Sequence, residues 1–452
     1  MHLPRHGSPE HSQKRAEPTA PASVPFRDAL AVWWRIGLLS FGGPAGQIAL
    51  MHRLLVEEKR WIDESRFLHA LNYCMLLPGP EAQQLATYVG WLLHGVRGGL
   101  LAGVLFILPG ALAILALSFV YVLLGDVALV EGLFFGLKAA VLALVLQALI
   151  RLAQRTLRAA LPMVVAIAAF IALFVFDAPF PLVVLGAAAL GLLSAAHWRP
   201  VGHGGDAHAL RDVQHPGTLR AAALCALLWV LTVGGLLWAL GGEHVFSRIA
   251  LFFSQMAVVS FGGAYAVLAY VAQQGVEVYG WLHPGEMVDG LGLAETTPGP
   301  LILVTQFVGF LAAFREATGI APLLAATLGA LLTTWVTFLP CFVWIFAGAP
   351  YIERLRGRPR LGAALAAITA AVVGVIANLA LWFALNTLFA ERARVEAGPV
   401  DLLLPVMGSL QPMALVLAAI AVLLVFVARR GVFAVLGVCA ALGIALQLAG
   451  LN

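Results

Sequence analysis

Apolar stretches of about 20 residues follow one another along most of the chain, with short polar segments between them. A helix of that length crosses the hydrocarbon core of a bilayer. Stretches such as Ala139 to Leu149 show no strict alternation of polar and apolar positions, which argues against a membrane β-barrel. The pattern predicts about 13 helical segments, at 27–56, 64–95, 98–125, 127–150, 159–176, 179–196, 218–241, 245–274, 283–314, 320–349, 361–389, 402–428 and 431–451.

Composition agrees with this interpretation. Hydrophobic residues make up 61% of the chain and charged residues 11%, whereas soluble domains carry roughly 25% charged residues. The net charge of +4 does not indicate nucleic-acid binding, because the basic residues lie in short loops. The four cysteines lie in apolar stretches, so we expect them to be core residues without disulfides. We therefore expect an all-α polytopic membrane protein.

The chain repeats itself. Ser40-Phe41-Gly42-Gly43 recurs as Ser260-Phe261-Gly262-Gly263, and Pro78-Gly79-Pro80 recurs as Pro298-Gly299-Pro300, both at an offset of 220 residues. Glycine and proline are common in membrane helices, but four breaks at one offset indicate two related halves. After an insertion near residues 314–322, Leu108-Pro109 matches Leu339-Pro340. Interrupted helices at matching positions of two halves mark the substrate site in many transporters.

The predicted organisation has five parts. These are a disordered cytoplasmic tail at 1–25, a first transporter repeat at 26–196, a cytoplasmic linker at 197–217, a connecting transmembrane helix at 218–241 and a second repeat at 245–452.

Basic loops place the N-terminus in the cytoplasm and the C-terminus outside. The connecting helix inverts the second half, so the repeats have opposite topology. A basic loop around Arg53 to Arg66 would lie on the wrong side if the flanking segments crossed the membrane. We therefore expect 27–95 and 245–314 to contain re-entrant hairpins that bend back at the breaks; the alternative is that these segments cross.

Proline suits the first turn of a helix, so Pro44, Pro80 and Pro300 are predicted to start helices at membrane depth. Free N–H groups and the helix dipole make such N-termini natural anion sites. With inverted repeats, N-termini from the two halves can converge on one point.

Polar residues beside the breaks are candidate ligands, since neutral donors suit an oxyanion that must also be released. They are Ser40, Ser260, Thr296, Thr297, Gln83 and Gln84. Intramembrane charges are also candidates. Lys138 would balance an anion or pair with a carboxylate, while Arg35 would do either or snorkel to the surface. Glu81 and Glu295 are proton-coupling candidates, and Asp289 is expected at the membrane interface.

Other functional classes lack support. The 12 histidines show no metal-binding spacing, and no Walker A or dinucleotide motif is present. We expect no metal and no cofactor, no enzymatic activity, and transport driven by an ion gradient.

These motifs together resemble the chromate ion transporter family. The resemblance rests on Gly37 to Pro44, on Lys59-Arg60-Trp61, on Leu76 to Pro80 with Leu108-Pro109, and on Asp289 to Leu291 followed by Thr297 to Pro300. It covers about residues 26–388 and implies that the family's motif residues are Ser40, Phe41, Gly42, Gly43, Pro78, Gly79, Pro80 and their repeat partners, including Gly263.

The resemblance implies a bacterial inner-membrane protein that exports chromate, driven by the proton motive force, and confers chromate resistance. Sulfate is a similar tetrahedral dianion, so a sulfate or related oxyanion transporter or exchanger is an alternative. An anion channel is a second alternative, since re-entrant helices also build selectivity filters. A homodimer is allowed but not required, because one chain contains both halves.

Overall fold

A computed structural model of the protein describes residues 24–125, 127–198, 215–261, 263–349, 359–397 and 400–451. Most of the predicted N-terminal tail and of the predicted linker at 197–217 lies outside the described residues.

The first half consists of seven helices, several of them interrupted. They are α1 (Phe26–Leu39), α2 (Gly43–His52) with a π-helical extension (Arg53–Glu58), α3 (Glu64–Cys74), α4 (Glu81–Leu124), α5 (Ala128–Thr156), α6 (Ala160–Phe176) and α7 (Phe180–Leu193) with a 3-10 turn (Ala195–His197). Helix α8 (Thr218–Leu240) connects the halves.

The second half has the same order of elements and a longer C-terminal part. It contains α9 (Val245–Val259), α10 (Ala264–Ala272) with a π-helical extension (Gln273–Val278), α11 (Pro284–Thr296), a 3-10 turn (Leu301–Leu303), α12 (Val304–Glu316), α13 (Pro322–Gly348), α14 (Pro359–Leu388), β1 (Arg392–Ala397), β2 (Val400–Pro405), a 3-10 turn (Met407–Ser409), α15 (Pro412–Val422) with a π-helical extension (Leu423–Val427) and α16 (Val432–Leu448).

Among the described residues, five helices are long and apolar enough to cross a membrane: α4, α5, α8, α13 and α14. Helix α8 exposes almost all of its apolar surface, whereas α14 is mostly buried. A protein that faces lipid can expose apolar side chains in this way, so the predicted class of polytopic helical membrane protein is confirmed.

Helix α4 contains a sharp elbow. His94 (φ −137°, ψ 22°) and Gly95 (φ 61°, ψ −150°) leave the helical region. Beyond the elbow the chain turns back, because Gly90 packs so closely on Gly98 that a Cβ on either residue would overlap the carbonyl oxygen of the other. The part of α4 before the elbow therefore lies antiparallel to the part after it, in agreement with the two predicted segments there.

Helices α12 and α13 form the matching hairpin of the second half. Gly309 and Gly329 are the close-packed pair, and Thr333 packs against Gly309. Small residues at both crossings let the backbones approach, as is common between membrane helices.

The start of α1, the elbow of α4 and the start of α8 lie together, on what we call the elbow side. A His94 ring nitrogen is 2.7 Å from the Val24 carbonyl oxygen, and Phe26 packs edge-on against His94. The Trp91 indole donates to the Thr218 hydroxyl, at 3.0 Å.

The chain reverses direction at the breaks of the first half. Tyr73 of α3 lies beside Tyr88 of α4, with ring centroids 5.3 Å apart, and donates to the Trp344 carbonyl of α13. Arg35 of α1 lies 3.7 Å from Glu58, after α2. One straight helix through the break would separate these two residues by roughly 35 Å, so α2 folds back on α1.

A small β-hairpin was missed by the sequence prediction. Strands β1 and β2 pair antiparallel with Arg392 opposite Pro405, and α15 begins only at Pro412, so the predicted helical segment 402–428 starts too early. The run Leu402 to Leu404 is apolar without periodicity, and such a short run does not distinguish a strand from a helix.

The halves are interlocked. Helix α5 of the first half packs against α11, α14, α15 and α16 of the second, and α4 packs against α12 and α13. At the α5–α16 crossing, Gly132 and Gly136 lie directly against Gly443 and Cys439. The two halves therefore form one body around a shared core.

Candidate functional site

The four breaks meet in two cross-half contacts, which we together call the junction. The Gly79 N–H donates to the Ser260 carbonyl at 2.8 Å, and the Gly299 N–H donates to the Ser40 carbonyl at 2.8 Å. Each Pro-Gly-Pro turn is thus bound by the Ser-Phe-Gly-Gly break of the other half. The two hydrogen bonds are related by the internal repeat, so the expected convergence of the halves is present.

Each turn also rests on a proline-containing helix of the other half. Gly299 lies against Gly110 of α4, and Gly79 lies against Cys341 of α13. Gly110 and Cys341 are repeat counterparts that directly follow Pro109 and Pro340. Gly79 (φ +120°) and Gly299 (φ +93°) have left-handed backbones, which side chains disfavour. Glycine is therefore required by both conformation and contact.

Four helices begin beside this junction: α2, α4, α10 and the 3-10 turn that leads into α12. None of the four has a side-chain cap. Helices α3, α9 and α11 are capped by Asp63, by His244, and by His283 with Glu286. Several helices that begin elsewhere also lack a side-chain cap, namely α1, α5, α6, α7, α8, α13, α15 and α16. The position of the four starts, and not the missing cap, therefore sets the junction apart. The predicted helix starts after Pro80 and Pro300 are present, and α2 contains Pro44 in its first turn.

The predicted hydroxyl ligands donate to their own helices. Ser40 donates to the Ile36 carbonyl at 2.6 Å, and Ser260 donates to the Ala257 carbonyl at 3.1 Å. The hydroxyls of Thr296 and Thr297 behave likewise, donating to carbonyls three residues earlier. In this conformation the side-chain oxygens are acceptors, and the donors left for an anion are backbone N–H groups.

Gln83 and Gln84 brace the first turn. The Gln84 amide donates to the Pro78 carbonyl at 2.6 Å, and the Gln83 amide donates to the Thr87 hydroxyl at 3.0 Å. Both glutamines are fully buried, and their side-chain oxygens have no hydrogen-bond partner in the described part of the chain. Each is an unmatched acceptor close to the break.

Gln47 was missed by the sequence analysis. It lies on α2, is buried, and donates to the Gly299 carbonyl at 2.6 Å and to the Ser40 carbonyl at 3.4 Å. It therefore joins both members of one cross-half contact. Its repeat counterpart is the apolar Val267, so comparison of the two halves does not single out Gln47. The available signal was a polar amide in an apolar stretch, one turn after the Gly-Gly break.

Lys138 is paired with a carboxylate. Its Nζ lies 3.3 Å from Asp289 Oδ2, and the Tyr121 hydroxyl donates to the same oxygen at 3.0 Å. The Asp289 side chain is only 5% exposed, so it lies buried among the helices, and its predicted position at the membrane interface stays a prediction. Helix α11 packs on α5 through Gly292 against Leu137, and this contact covers Asp289.

The other charged candidates have different surroundings. The Tyr265 hydroxyl donates to Glu295 at 2.6 Å, and Glu295 is buried. Glu81 is the first residue of α4 and is half-buried. Arg35 is exposed and pairs with Glu58, and the Phe41 ring packs edge-on against Phe433, at 5.0 Å between centroids.

The described residues contain no cluster of three or more His, Cys, Asp or Glu side chains that could hold a metal ion. Gly262, a predicted site residue, lies outside the described residues, whereas its neighbour Gly263 precedes α10.

The chain is similar in sequence to several known membrane transport proteins. The chain is 32% identical over 366 residues to a chromate transport protein of Pseudomonas aeruginosa, covering 79% of this chain and 80% of that protein. It is 29% identical to a chromate transport protein of Cupriavidus metallidurans, covering 79% and 82%. It is 22% identical to an uncharacterized transporter of Methanocaldococcus jannaschii, covering 78% and 82%. No solved structure matches the protein.

The chromate transporter family matches residues 27–192 and 247–444, one range in each half. This match, together with the relatives, supports a chromate transport function. The chain belongs to the chromate transporter family.

Proposed function

We propose that the protein exports chromate across the bacterial inner membrane, coupled to the proton motive force, and so confers chromate resistance. The observation that carries the proposal is the junction, where reciprocal cross-half hydrogen bonds gather four uncapped helix starts. A helix N-terminus carries roughly half a positive charge. Four of them amount to about two charges at full helix length, which matches a dianion.

The proposed substrate site follows from this arrangement. Backbone N–H groups at the starts of α2, α4, α10 and α12 bind the oxygens of the anion. The supporting residues are Ser40, Phe41, Gly42, Gly43, Pro78, Gly79, Pro80, Gln83, Gln84, Ser260, Gly262, Gly263, Thr296, Thr297, Pro298, Gly299 and Pro300, with Lys138 and Arg35 as charge candidates.

Glu81 and Glu295 are the proposed proton carriers at the junction. Glu81 heads the helix that starts at the first turn, and no hydrogen bond or ion pair to it is present within the described ranges. Glu295 lies one turn before Pro298 and is held by Tyr265. A protonated carboxyl at either position would reduce repulsion of the dianion.

The proposed orientation places the elbow side in the cytoplasm and the C-terminus in the periplasm. The basic loop between α2 and α3 then lies inside, consistent with the distribution of positive charges. The reversals at the breaks support re-entrant hairpins, since Tyr73 and Tyr88 lie side by side on either side of the first turn. First-half hairpins would open to the cytoplasm and second-half hairpins to the periplasm.

Backbone donors recognise the charge and shape of a tetrahedral anion and little else. This favours one alternative, a sulfate or related oxyanion transporter or exchanger that uses the same site. Chromate and sulfate both offer four oxygens to N–H groups, so competition between them is expected.

The test is uptake of radiolabelled chromate into inverted membrane vesicles, with and without an imposed proton gradient, and with sulfate as competitor. Accumulation that requires the gradient supports coupled export. Equilibration without the gradient indicates a channel. Absence of chromate flux in vesicles that contain folded protein would overturn the proposal, and sulfate flux in the same vesicles would support the alternative.

A further inference from the structure

We propose that Lys138 and Asp289 form a releasable ion pair, in which an anion bound beside Lys138 draws the ammonium away and lets Asp289 take up a proton from the periplasm. The inference rests on the proposed function and names a proton-binding residue for it. It assigns Asp289, which lies outside the repeat motifs, to the coupling step.

The two oxygens of Asp289 have different surroundings. Oδ2 receives both the Lys138 ammonium at 3.3 Å and the Tyr121 hydroxyl at 3.0 Å. Oδ1 is buried and has no hydrogen-bond partner within the described ranges. The Lys138 side chain is 27% exposed while that of Asp289 is 5% exposed. The ammonium can therefore move toward solvent or toward an anion, whereas the carboxylate stays buried.

Lys138 is the only cation that directly neutralises Asp289 in the described part of the chain. Tyr121 faces it from α4, Lys138 from α5, and Glu286 lies one turn earlier on α11. The charge of Glu286 is already matched by Arg315 of α12, at 2.5 Å. Helix α16 has no charged residue, and the only charged residue of α14 is Arg360, in its first turn. When the ammonium leaves, a buried carboxylate without a cation remains, which strongly favours proton uptake.

The pair lies on the side of the protein opposite the elbow. Phe346, near the end of α13, packs against Gly99, just past the elbow. Helix α13 therefore begins on the opposite side, next to the end of α12. Arg315, in the last turn of α12, binds Glu286 in the first turn of α11, so this end of α11 is on that side too. Asp289 lies between that surface and the junction.

Helix α11 carries two buried carboxylates, and each accepts a hydrogen bond from a tyrosine of another helix. Asp289 is bound by Tyr121 and Glu295 by Tyr265. The two carboxylates are six positions apart, about 9 Å along the helix axis. Their repeat counterparts are His69 on α3 and Met75 directly after it, so the first half lacks both carboxylates. A proton taken up at Asp289 thus lies one step from Glu295 at the junction.

The proposed step is balanced in protons and charge. With the pair closed, the ammonium and the carboxylate sum to zero. When the dianion draws the ammonium away, the carboxylate binds one proton from the periplasm and becomes a neutral carboxylic acid, while Lys138 keeps its own proton throughout. When the dianion has left, the ammonium returns and the proton is released toward Glu295.

The experiment measures protons taken up when chromate binds. Purified full-length protein is titrated with potassium chromate at pH 8 by calorimetry, in two buffers with different ionisation enthalpies. We expect about one more proton bound per anion in the unaltered protein than in Asp289→Asn. The matched control is Glu131→Gln on α5, an exposed carboxylate that accepts from Gln447, and its proton uptake should equal that of the unaltered protein.

Transport gives a second readout. A pH gradient of one unit drives about tenfold accumulation per coupled proton. In Asp289→Asn the tenfold accumulation that this proton contributes should be lost, so its factor falls to about one. Exchange of labelled for unlabelled chromate should persist. If Asp289→Asn folds poorly, Lys138→Met with Asp289→Asn removes both buried charges and should restore the fold with the same loss of coupling.

The outcomes separate the two proposals. If the unaltered protein moves no chromate, or moves it without regard to the gradient, the proposed function fails. If the unaltered protein is coupled and Asp289→Asn and the double variant bind the same number of protons and accumulate to the same level, the proposed role of Asp289 is wrong.

Discussion

The contact between Gly110 and the second Pro-Gly-Pro turn allows a direct test of whether the junction is needed for stability and transport. Gly110 follows Pro109 on α4, and Gly299 rests on it. A Cβ added at Gly110 would overlap the Pro298 carbonyl oxygen and lie 2.6 Å from Leu303 Cδ1. The leucine can rotate away, but the carbonyl belongs to the backbone of the turn. Gly110→Ala must therefore push the turn away from α4.

The size of that displacement follows from ordinary contact distances. A carbon and a carbonyl oxygen approach to roughly 3.3 Å, so the turn must retreat by about 1 Å. The Gly299 N–H to Ser40 carbonyl bond, now 2.8 Å, would then exceed the 3.5 Å limit of a hydrogen bond. Overpacking costs about 1–3 kcal/mol, and the buried N–H left unpaired costs about 1–3 kcal/mol. The substitution should destabilise the protein by about 2–6 kcal/mol.

The assay compares thermal unfolding in detergent with chromate uptake into vesicles at matched protein levels. For Gly110→Ala we expect a clear fall in melting temperature. We also expect a loss of at least about tenfold in uptake, since a displaced turn that weakens anion binding by about 1.4 kcal/mol already gives that factor. The matched control is Gly186→Ala on α7, where an added Cβ has no atom within 4 Å. That change should leave uptake unaltered and stabilise the helix by up to about 1 kcal/mol.

Normal uptake and an unchanged melting temperature in Gly110→Ala would refute the reasoning. The turn would then not rest on α4 as closely as the structure has it, and the cross-half hydrogen bond would not be required for the site. A fall in melting temperature without a fall in uptake would separate the structural role of the junction from its role in transport. It would show that the junction stabilises the fold but does not bind the anion.

Three further predictions use other contacts. Tyr265→Phe removes the donor to Glu295, which should cost about 1–3 kcal/mol and change the pH profile of uptake; an unchanged profile would count against Glu295 as a proton carrier. Arg315→Lys loses the bidentate contact with Glu286 and one hydrogen bond to the Trp281 carbonyl. The free energy of unfolding should therefore fall by about 1–2 kcal/mol. A smaller fall than in the exposed Arg53→Lys would contradict this. Gln47→Leu leaves the Gly299 carbonyl with one bond fewer and should cost about 1–2 kcal/mol, measured by thermal unfolding against the exposed Gln154→Leu.

Much of the fold could be predicted, because glycine and proline residues show in the sequence where the helices are interrupted. Proline and glycine have local conformational effects, so the helix starts after Pro80 and Pro300 follow from residue type alone. The two-residue elbow at His94-Gly95 was also signalled, by the gap between predicted segments. What a repeat cannot show is contact, since it relates equivalent positions and not neighbours. That Gly79 binds Ser260 and not Ser40 is a property of how the halves interlock.

The missed residues have one cause in common. Gln47 and Asp289 each act through a partner in the other half, at Gly299 and Lys138. Asp289 was predicted to lie at the membrane interface because it is near the start of an apolar segment. Position in a segment does not tell which helices pack over the side chain. Lys138 was recognised as a functional candidate, but its carboxylate partner is 151 positions away along the chain and depends on the α5–α11 contact.

Backbone geometry in this protein follows the repeat, whereas charge does not. The turns, the breaks and their hydrogen bonds occur in both halves, but Lys138 is matched by Thr369, and Glu295 by Met75. If the halves were identical, the inward-open and outward-open states would be related by a two-fold rotation and would have equal free energy, so a bound proton could not favour either. A ligand shifts a two-state equilibrium only by its difference in affinity for the two states. The two buried carboxylates of α11, Asp289 and Glu295, would supply that difference, because protonating them changes the energy of only one pair of hairpins. In the proposed mechanism, the symmetric backbone would provide a site that opens to either side, and the charged residues without a repeat counterpart would give transport its direction.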